Sequence, residues 1–322
     1  MTFPFDVYLL ALLGACGTTA LALPIWRAFC RRVKLLDHPG NRKIHDAPIP
    51  LAGGLAVMSG LLIPLLFGIF GFHFLEFNTA SLLSYGLNRR GLQLLAIFGG
   101  AFGMLLLGLA DDKWELRPAQ KFGGQLLVAL LVASAGVRIT LFVESILFSY
   151  LITIFWILIV TNAFNFMDNM NGLCTGLGFI SAFYFALLGA GHGQYLVALL
   201  AFLIAGALLG FLPFNFPKAT AFLGDSGSHL IGYLLAVLAI LPHFYTMQHP
   251  KKFAVLSPLL VLAVPLADLI WVVFWRWKIG RPFYLGDTNH FSHQLVKRGW
   301  TRSGAVLFLW LLNAVVGAGA FS

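Results

Sequence analysis

The chain alternates long apolar runs with short polar breaks. Helical runs of about 18 to 22 residues match the hydrocarbon thickness of a bilayer. The pattern therefore predicts an all-α polytopic membrane protein with about ten transmembrane helices, in which residues 1–322 form a single integral membrane domain. The predicted spans lie near residues 3–29, 51–71, 91–110, 122–137, 147–163, 173–191, 195–212, 223–243, 253–275 and 303–321.

The distribution of basic residues predicts the orientation of these spans. Most of the 21 Lys and Arg residues lie in or beside the loops after spans 1, 3, 5, 7 and 9. The other face carries Arg89, Arg90, Arg138, Lys251 and Lys252. Because cytoplasmic loops are enriched in Lys and Arg, the first set of loops is predicted to face the cytoplasm from an inner (plasma) membrane.

Composition narrows the functional classes. With 59% hydrophobic and 10% charged residues, no stretch is typical of a soluble domain. The net charge of +9 fits loops that lie against anionic lipid head groups, so nucleic acid is not an expected partner. Cys16, Cys30 and Cys174 lack the spacing of metal ligands and predict neither a disulfide framework nor a zinc site.

Carboxylates stand where several spans end. The third apolar run stops at Asp111 and Asp112, and carboxylates at the end of a span are costly unless they are solvated or functional. They could simply end the helix among solvated basic neighbours. The functional interpretation gains support because Asp168 and Asp225 lie in similar polar breaks on the same predicted face. Asp268, inside the ninth span, is either a buried structural carboxylate or the partner of a site residue.

The break after the fifth span is rich in amides. Asn162, Asn165 and Asn169 are spaced for one helical face, with Asp168 beside it, so amides and a carboxylate could converge on one ligand. The alternative is a capped helix break whose polar groups are satisfied by neighbouring backbone.

A second polar break, residues 224–228, directly precedes the eighth span. A helix that begins here would point free backbone N–H groups at a phosphate and leave Asp225 free to hold a metal ion. Ordinary N-capping by Asp and Ser explains the same residues.

Basic loops on the same face contain candidate phosphate ligands. His290 and His293 are three residues apart, would share a helix face, and could donate to phosphate oxygens. The first loop contributes Arg42, Lys43 and His45, which are equally suited to phosphate. Each loop taken alone is also typical of a basic segment lying against lipid.

Electrostatics favours a cation among the carboxylates. If Asp111, Asp112, Asp168 and Asp225 share one cavity, each pair about 4 Å apart repels by about 4 kcal/mol at an effective dielectric of about 20. An all-oxygen ligand set without His or Cys suits magnesium, which proteins commonly share with substrate phosphates. The sequence therefore predicts magnesium, with manganese as a substitute, and a phosphate-bearing substrate.

Together these motifs resemble the polyprenyl-phosphate N-acetylhexosamine-1-phosphate transferases. The resemblance covers about residues 20–305, in five blocks that stand in the expected order. It implies ten or eleven spans, magnesium, and transfer of a sugar 1-phosphate from a UDP-sugar to a polyprenyl phosphate such as undecaprenyl phosphate, with release of UMP. The product would initiate a cell-envelope glycan, and a homodimer is compatible with this assignment.

The resemblance also implies residue roles. Asp111 and Asp112 match the paired catalytic aspartates, one of which would keep the lipid phosphate deprotonated; Asp168 matches the nucleotide-binding block and joins the catalytic set. Asp225 matches the metal-binding aspartate, and Phe222 the aromatic residue that stacks on uracil. The substrate-binding residues predicted from the motifs and the resemblance together are Arg42, Lys43, His45, Asn162, Asn165, Phe222, His290 and His293.

Two positions depart from the family pattern. Asn169 follows Asp168 where the family has Gly, which is expected to alter a tight turn. Ser292 stands between His290 and His293 where an H-x-H-H motif is usual, which is expected to remove one phosphate donor.

The first loop bears on the donor sugar. Its Arg-Lys-Ile-His sequence, residues 42–45, resembles the branch that uses simple sugars, so UDP-N-acetylglucosamine is the expected donor. A phospho-MurNAc-pentapeptide transferase is the alternative within the family. A transporter or flippase of an anionic lipid-linked substrate is the alternative from another class, although it predicts polar motifs on both faces.

Overall fold

The fold is built almost entirely from helices, as the apolar runs predict. A computed structural model describes residues 4–39, 47–71, 80–140, 143–242, 255–282, 284 and 286–321, apart from the side chains of residues 71 and 80–89. Strands β1 (Leu36–Asp37) and β2 (Ile49–Pro50) form a small antiparallel pair, with Leu36 opposite Pro50. The helices are α1 (Phe5–Arg32), α2 (Gly53–Gly71), α3 (Ala80–Trp114), α4 (Pro118–Ser134), α5 (Ile146–Met167), α6 (Leu173–Gly191), α7 (Tyr195–Asn215), α8 (Gly224–Ile240), α9 (Ser257–Val261), α10 (Ala263–Lys278), α11 (Phe291–Lys297) and α12 (Arg302–Ala318).

Seven segments within the described ranges are long and apolar enough to cross a membrane. They are Phe5–Arg32, Gly53–Phe70, Arg90–Trp114, Ile146–Met167, Leu173–Gly191, Tyr195–Asn215 and Arg302–Phe321. The other predicted spans correspond to the shorter helices α4, α8 and α10, of 17, 17 and 16 residues. Seventeen helical residues reach about 25 Å, less than the roughly 30 Å hydrocarbon core. The polytopic helical architecture is confirmed, and the count of ten spans stays a prediction.

The ninth predicted span is two helices rather than one. Helix α9 ends at Val261 and α10 begins at Ala263. The side chain of Asn313 on α12 accepts a hydrogen bond from the Val264 N–H (3.3 Å) and donates to the Val261 carbonyl (3.2 Å). Because the partner that satisfies this break lies about fifty residues away in sequence, local apolar periodicity does not reveal it.

Helix α8 lies at the centre of the bundle. It packs against α2, α3 and α5, and nearly all of its side chains are buried. The hydroxyl of Tyr233 donates to the Ile97 carbonyl of α3 (3.0 Å), and the indole of Trp156 on α5 donates to the Ala236 carbonyl (3.1 Å). These contacts hold α8, whose first turn contains Asp225, against α3 and α5.

Two glycines allow close packing around that first turn. A Cβ atom at Gly54 would lie 2.7 Å from the backbone nitrogen of Gly227, and one at Gly108 would collide with the backbone of Asp225 and Ser226. Gly108 precedes Asp112 by about one helical turn. The close approach of α3 at Gly108 therefore brings the paired aspartates to the N-terminus of α8.

Candidate active site

Four helix ends meet at one end of the bundle. They are the C-terminal ends of α3 and α5 and the N-terminal ends of α4 and α8. Their polar side chains, together with Asp168 in the turn after α5, form a group that we call the carboxylate cluster. Its members are Asp111, Asp112, Lys121, Asn165, Asp168 and Asp225.

Asp112 binds the N-terminus of α8. Its two carboxylate oxygens accept hydrogen bonds from the backbone N–H groups of Asp225 (2.7 Å) and Ser226 (3.1 Å). A helix begins at Gly224, in the predicted polar break, and Leu223 occupies the N-cap position without a side-chain hydrogen bond, so Asp225 and Ser226 do not cap it. Two of the free N–H groups of this first turn bind Asp112, and phosphate binding here stays a prediction.

Asp111 is paired with a lysine. One of its oxygens accepts from the backbone N–H of Leu116 (2.9 Å), and the other lies 2.7 Å from the ammonium of Lys121. The same ammonium is 3.5 Å from a carboxylate oxygen of Asp225. Lys121 stands in the first turn of α4, where the sequence offers only a solvated basic residue as the interpretation, and the structure places it between two carboxylates.

Asn165 connects α5 to α8. Its amide donates a short hydrogen bond to the carboxylate of Asp225 and another, 3.0 Å long, to the hydroxyl of Ser228. About a third of the Asp225 side chain is exposed (34%), whereas Asp111 is buried (8%). Asp225 is thus oriented by Asn165 and Lys121 while part of its carboxylate remains accessible.

Asp168 is the least stabilised carboxylate of the cluster. Among the described residues, no group donates a hydrogen bond to its side chain, and it follows the last residue of α5. Burial raises the pKa of the Asp168 carboxyl well above its ordinary value. Neighbouring negative charges act in the same direction, and they belong to Asp225, Asp112 and Asp37. Within the part of the chain that the structure describes, this carboxylate therefore has no positive partner.

The three asparagines do not share one helix face, which corrects the expectation from their spacing. Helix α5 ends at Met167, so Asn169 lies in the following turn and donates to the Phe166 carbonyl (2.6 Å). Asn162 faces α4, where its amide donates to the Gln125 side chain (2.7 Å). Of the three, only Asn165 contacts the carboxylate of Asp225, and the substrate-binding role of Asn162 stays a prediction.

The first loop returns to the site through backbone hydrogen bonds. The N–H of Phe222 donates to the Pro50 carbonyl, and the Phe222 carbonyl accepts from Gly53, both at 2.9 Å. This pairing fixes Phe222 two residues before α8. The predicted phosphate ligands Arg42, Lys43 and His45 lie outside the described residues, within the gap at residues 40–46.

A second polar group, which we call the histidine segment, comprises Asp268, Arg276, Asp287, His290 and His293. The imidazole of His290 is buried and lies 2.7 Å from the carboxylate of Asp268, which also accepts from the Phe291 N–H (2.6 Å). His290 is the N-cap of α11 rather than a residue on a shared helix face with His293. Asp268 is therefore the buried partner of a predicted site residue.

His293 lies on α11, partly buried, with its ring centroid 6.1 Å from that of His290. Burial lowers the pKa of His293, as do the positive charges of His290, Lys297 and Arg302, while Asp268 opposes them. His293 is consequently neutral at pH 7, and a neutral imidazole can donate one hydrogen bond to a phosphate oxygen.

Sequence reasoning also missed Asn215, at the end of α7. Its buried side chain accepts from the Gly172 N–H (3.0 Å) and the Thr175 hydroxyl (2.8 Å), and donates to the Ala221 carbonyl (3.2 Å). Asn215 thus joins the turn that follows Asp168 to the residue before Phe222. Asn215 lies in a Pro-Phe-Asn-Phe-Pro stretch, and the single polar residue between apolar ones is the sequence signal that could have indicated a buried structural role.

The donor chemistry of the cluster fits a magnesium ion. Within the described ranges, no group of three or more His, Cys, Asp or Glu residues forms a complete metal site. Magnesium needs less than that, because it commonly binds one or two carboxylates and completes its shell with water and phosphate oxygens. Such ligands are offered by the accessible carboxylate of Asp225 and by that of Asp168, which has no donor among the described residues, whereas both oxygens of Asp112 already bind backbone.

Comparison with known proteins places this arrangement in a family. Residues 94–243 match the family model described as glycosyl transferase family 4. The chain is 32% identical to a decaprenyl-phosphate N-acetylglucosaminephosphotransferase of Mycobacterium tuberculosis (strain ATCC 25618 / H37Rv), over 97% of this chain and 82% of the relative. It is 29% identical to a probable undecaprenyl-phosphate N-acetylglucosaminyl 1-phosphate transferase of Bacillus subtilis (strain 168), over 92% and 80% respectively.

A third relative extends this similarity. The undecaprenyl-phosphate alpha-N-acetylglucosaminyl 1-phosphate transferase of Escherichia coli (strain K12) is 25% identical, over 92% of this chain and 79% of its own. The matched segment 94–243 contains every member of the carboxylate cluster. The chain therefore belongs to glycosyl transferase family 4, among the membrane polyprenyl-phosphate N-acetylhexosamine-1-phosphate transferases that its motifs resemble.

Proposed function

We propose that this protein transfers N-acetylglucosamine 1-phosphate from UDP-N-acetylglucosamine to a polyprenyl phosphate in a magnesium-dependent reaction. The observation that carries the proposal is the carboxylate cluster, in which four carboxylates from three segments lie together at the end of the bundle and one lysine pairs with two of them. Such an excess of negative charge is unfavourable unless a cation is bound, and a bound magnesium ion would in turn attract a phosphate substrate. The choice of a polyprenyl phosphate as acceptor and of N-acetylglucosamine as the sugar is based on the names of the relatives.

The reaction exchanges one phosphoanhydride bond for another. An oxygen of the lipid phosphate attacks the sugar-linked phosphorus, the bond from that phosphorus to the bridging oxygen breaks, and UMP leaves with the bridging oxygen. Asp111 would keep the attacking phosphate deprotonated, because its Lys121-paired oxygen becomes available when the flexible ammonium turns to a substrate phosphate. Asp112 would act as a positioning residue, since both of its oxygens bind the first turn of α8.

Asp225 and Asp168 would hold the metal ion, and Asn165 keeps Asp225 in place. When bound, magnesium neutralises charge that develops on phosphate oxygens. His293 would donate a hydrogen bond to a donor phosphate from its neutral imidazole. Phe222, held between Pro50 and Gly53, would stack on the uracil ring.

The defining experiment follows UMP release by the purified protein. We expect release with UDP-N-acetylglucosamine, undecaprenyl phosphate and magnesium together, and none when any one of the three is omitted. UDP-MurNAc-pentapeptide and UDP-glucose complete the donor panel, and we expect both to be poor donors. Efficient use of the pentapeptide donor would instead indicate the other branch of the family, and UMP release in EDTA would contradict the role of magnesium.

The proposal includes a cytoplasmic active site, and the structure suggests where to test this. Lys218 and Glu144 are exposed and lie in loops on opposite predicted faces. In a background without Cys16, Cys30 and Cys174, an impermeant thiol reagent should label Glu144→Cys in intact cells and Lys218→Cys only in inverted vesicles. Labelling of both from one side would contradict the arrangement.

A further inference from the structure

We propose that Asn169 and Ser292 form a positioning bridge that holds α11, with His293, against the turn that carries Asp168. This inference rests on the proposed function, because its catalytic consequence is expressed in the transfer reaction. The two residues are more than a hundred positions apart in sequence, and they adjoin the carboxylate cluster and the histidine segment respectively. Neither residue would touch substrate: Asn169 would position Asp168, and Ser292 would position His293.

The bridge consists of two consecutive hydrogen bonds. The hydroxyl of Ser292 donates to the side-chain oxygen of Asn169 (2.6 Å), and the amide of Asn169 donates to the Phe166 carbonyl (2.6 Å). Ser292 is fully buried. The Asn169 side chain therefore uses one end to close the turn onto α5 and the other end to bind the first turn of α11.

The far end of the bridge rests on a rigid scaffold. The ring of Phe166 lies under the guanidinium of Arg276 (4.9 Å) and against the edge of His290 (5.7 Å between centroids). Arg276 is paired with Asp287 at 2.9 Å, and His290 with Asp268 at 2.7 Å. Because both pairs are buried, the start of α11 is fixed on one side by this scaffold and on the other by Asn169.

Each of the two bridging residues is adjacent in sequence to a residue with a proposed role in the reaction. Asn169 directly follows Asp168, and Ser292 directly precedes His293. A shift of about 1 Å at a group that orients a substrate can lower turnover by about a hundredfold. The two departures from the family pattern noted in the sequence are thus hydrogen-bonded partners, and their effects on the site are expected to depend on each other.

A double-mutant cycle tests this dependence. Ser292→Ala should lower kcat/KM for UMP release at least tenfold, and Ser292→Thr, which keeps the hydroxyl, should retain most of the activity. In an Asn169→Ala background, Ser292→Ala should have no further effect. Equal losses in both backgrounds, or wild-type kcat/KM in Ser292→Ala, would overturn the bridge.

A matched control separates positioning from stability. Ser181 is another fully buried serine, and its hydroxyl donates to the Val261 carbonyl (3.1 Å) away from the carboxylate cluster. Ser181→Ala should lower the melting temperature with unchanged kcat/KM. If Ser181→Ala and Ser292→Ala lower both quantities alike, the role of Ser292 is only structural.

A titration without substrate tests the bridge even if the proposed reaction is wrong. Opening the bridge should admit water to His293 and raise its pKa toward the ordinary value, in the direction that Asp268 favours and against the nearby positive charges of His290, Lys297 and Arg302. NMR of histidine-labelled protein, with His293→Gln for assignment, measures this shift. An unchanged His293 titration in Ser292→Ala would overturn the bridge, whereas a shift in a protein that releases no UMP would support the bridge and reject only the reaction.

Discussion

The carboxylate cluster and the histidine segment contain similar residue types but differ in how their charges are balanced. In the histidine segment each carboxylate has a cationic or imidazole partner and a backbone donor: Asp268 binds His290 and the Phe291 N–H, and Asp287 binds Arg276 and the Asn289 N–H. In the cluster, the ammonium of Lys121 pairs with Asp111 and Asp225, and Asp112 accepts from backbone N–H groups. Asp168 has no hydrogen-bond donor among the described side and main chains.

This difference distinguishes a scaffold from a reactive site. A carboxylate whose partners are complete stabilises the fold, and removing it leaves a buried partner group unpaired. A carboxylate held close to others without sufficient positive charge costs stability, and that cost is expected only where a ligand will compensate it. The contrast predicts opposite consequences for the same Asp→Asn substitution in the two regions.

The largest effect is expected for Asp225→Asn. This change should lower UMP release by about a thousandfold or more, equivalent to about 4 kcal/mol in the barrier, because it removes the accessible metal ligand. The melting temperature should change little, because the substitution removes repulsion from Asp111 and Asp112 but also the ion pair with Lys121. Substantial magnesium-dependent turnover in this variant would contradict the assignment of Asp225.

Asp268→Asn should show the reverse pattern. Its carboxylate is fully buried, and replacing it weakens the interactions with His290 and the Phe291 N–H. We expect a loss of about 2 to 3 kcal/mol in the free energy of unfolding, the scale for hydrogen bonds to a buried charge. Thermal unfolding in detergent measures it, with Asp225→Asn as the matched control. If both variants lose activity without losing stability, the contrast between the two regions fails.

The local alternation of apolar runs and polar breaks predicted the helices and most members of the carboxylate cluster, because each motif is a short polar break in an apolar run. Asp111, Asp112, Asn165, Asp168 and Asp225 were all predicted from such breaks, and the structure brings them together. Features that depend on a distant partner were missed.

The missed features show why local pattern is insufficient. The place of Lys121 between two carboxylates is defined by α3 and α8, and the break near Leu262 is satisfied by Asn313. A sequence that predicts a helix N-terminus likewise predicts free N–H groups, but it does not show that Asp112 binds two of them.

Asp168→Asn provides a smaller and more diagnostic effect. Because the pKa of Asp168 is raised in the folded protein, the ionised carboxylate destabilises the fold at neutral pH, and stability should increase as the pH falls toward the folded pKa. In EDTA at pH 7, Asp168→Asn should therefore melt a few degrees higher than the wild type while losing turnover. The variant should also lack the wild-type gain in stability on mild acidification. A lower melting temperature would show that Asp168 has a stabilising partner.

The smallest effect concerns the two residues of α11 that face different surroundings. His293 is partly buried beside His290, whereas Lys297 is exposed and donates to the Thr288 carbonyl (3.0 Å). His293→Ala should lower kcat/KM for the UDP-sugar about tenfold, the loss expected for one hydrogen bond to a charged phosphate. Lys297→Ala should change it less than twofold at moderate salt, because its charge is screened by water. Steady-state kinetics of the two variants against the same donor decides the matter: indistinguishable values would remove His293 from the site and leave α11 as part of the scaffold.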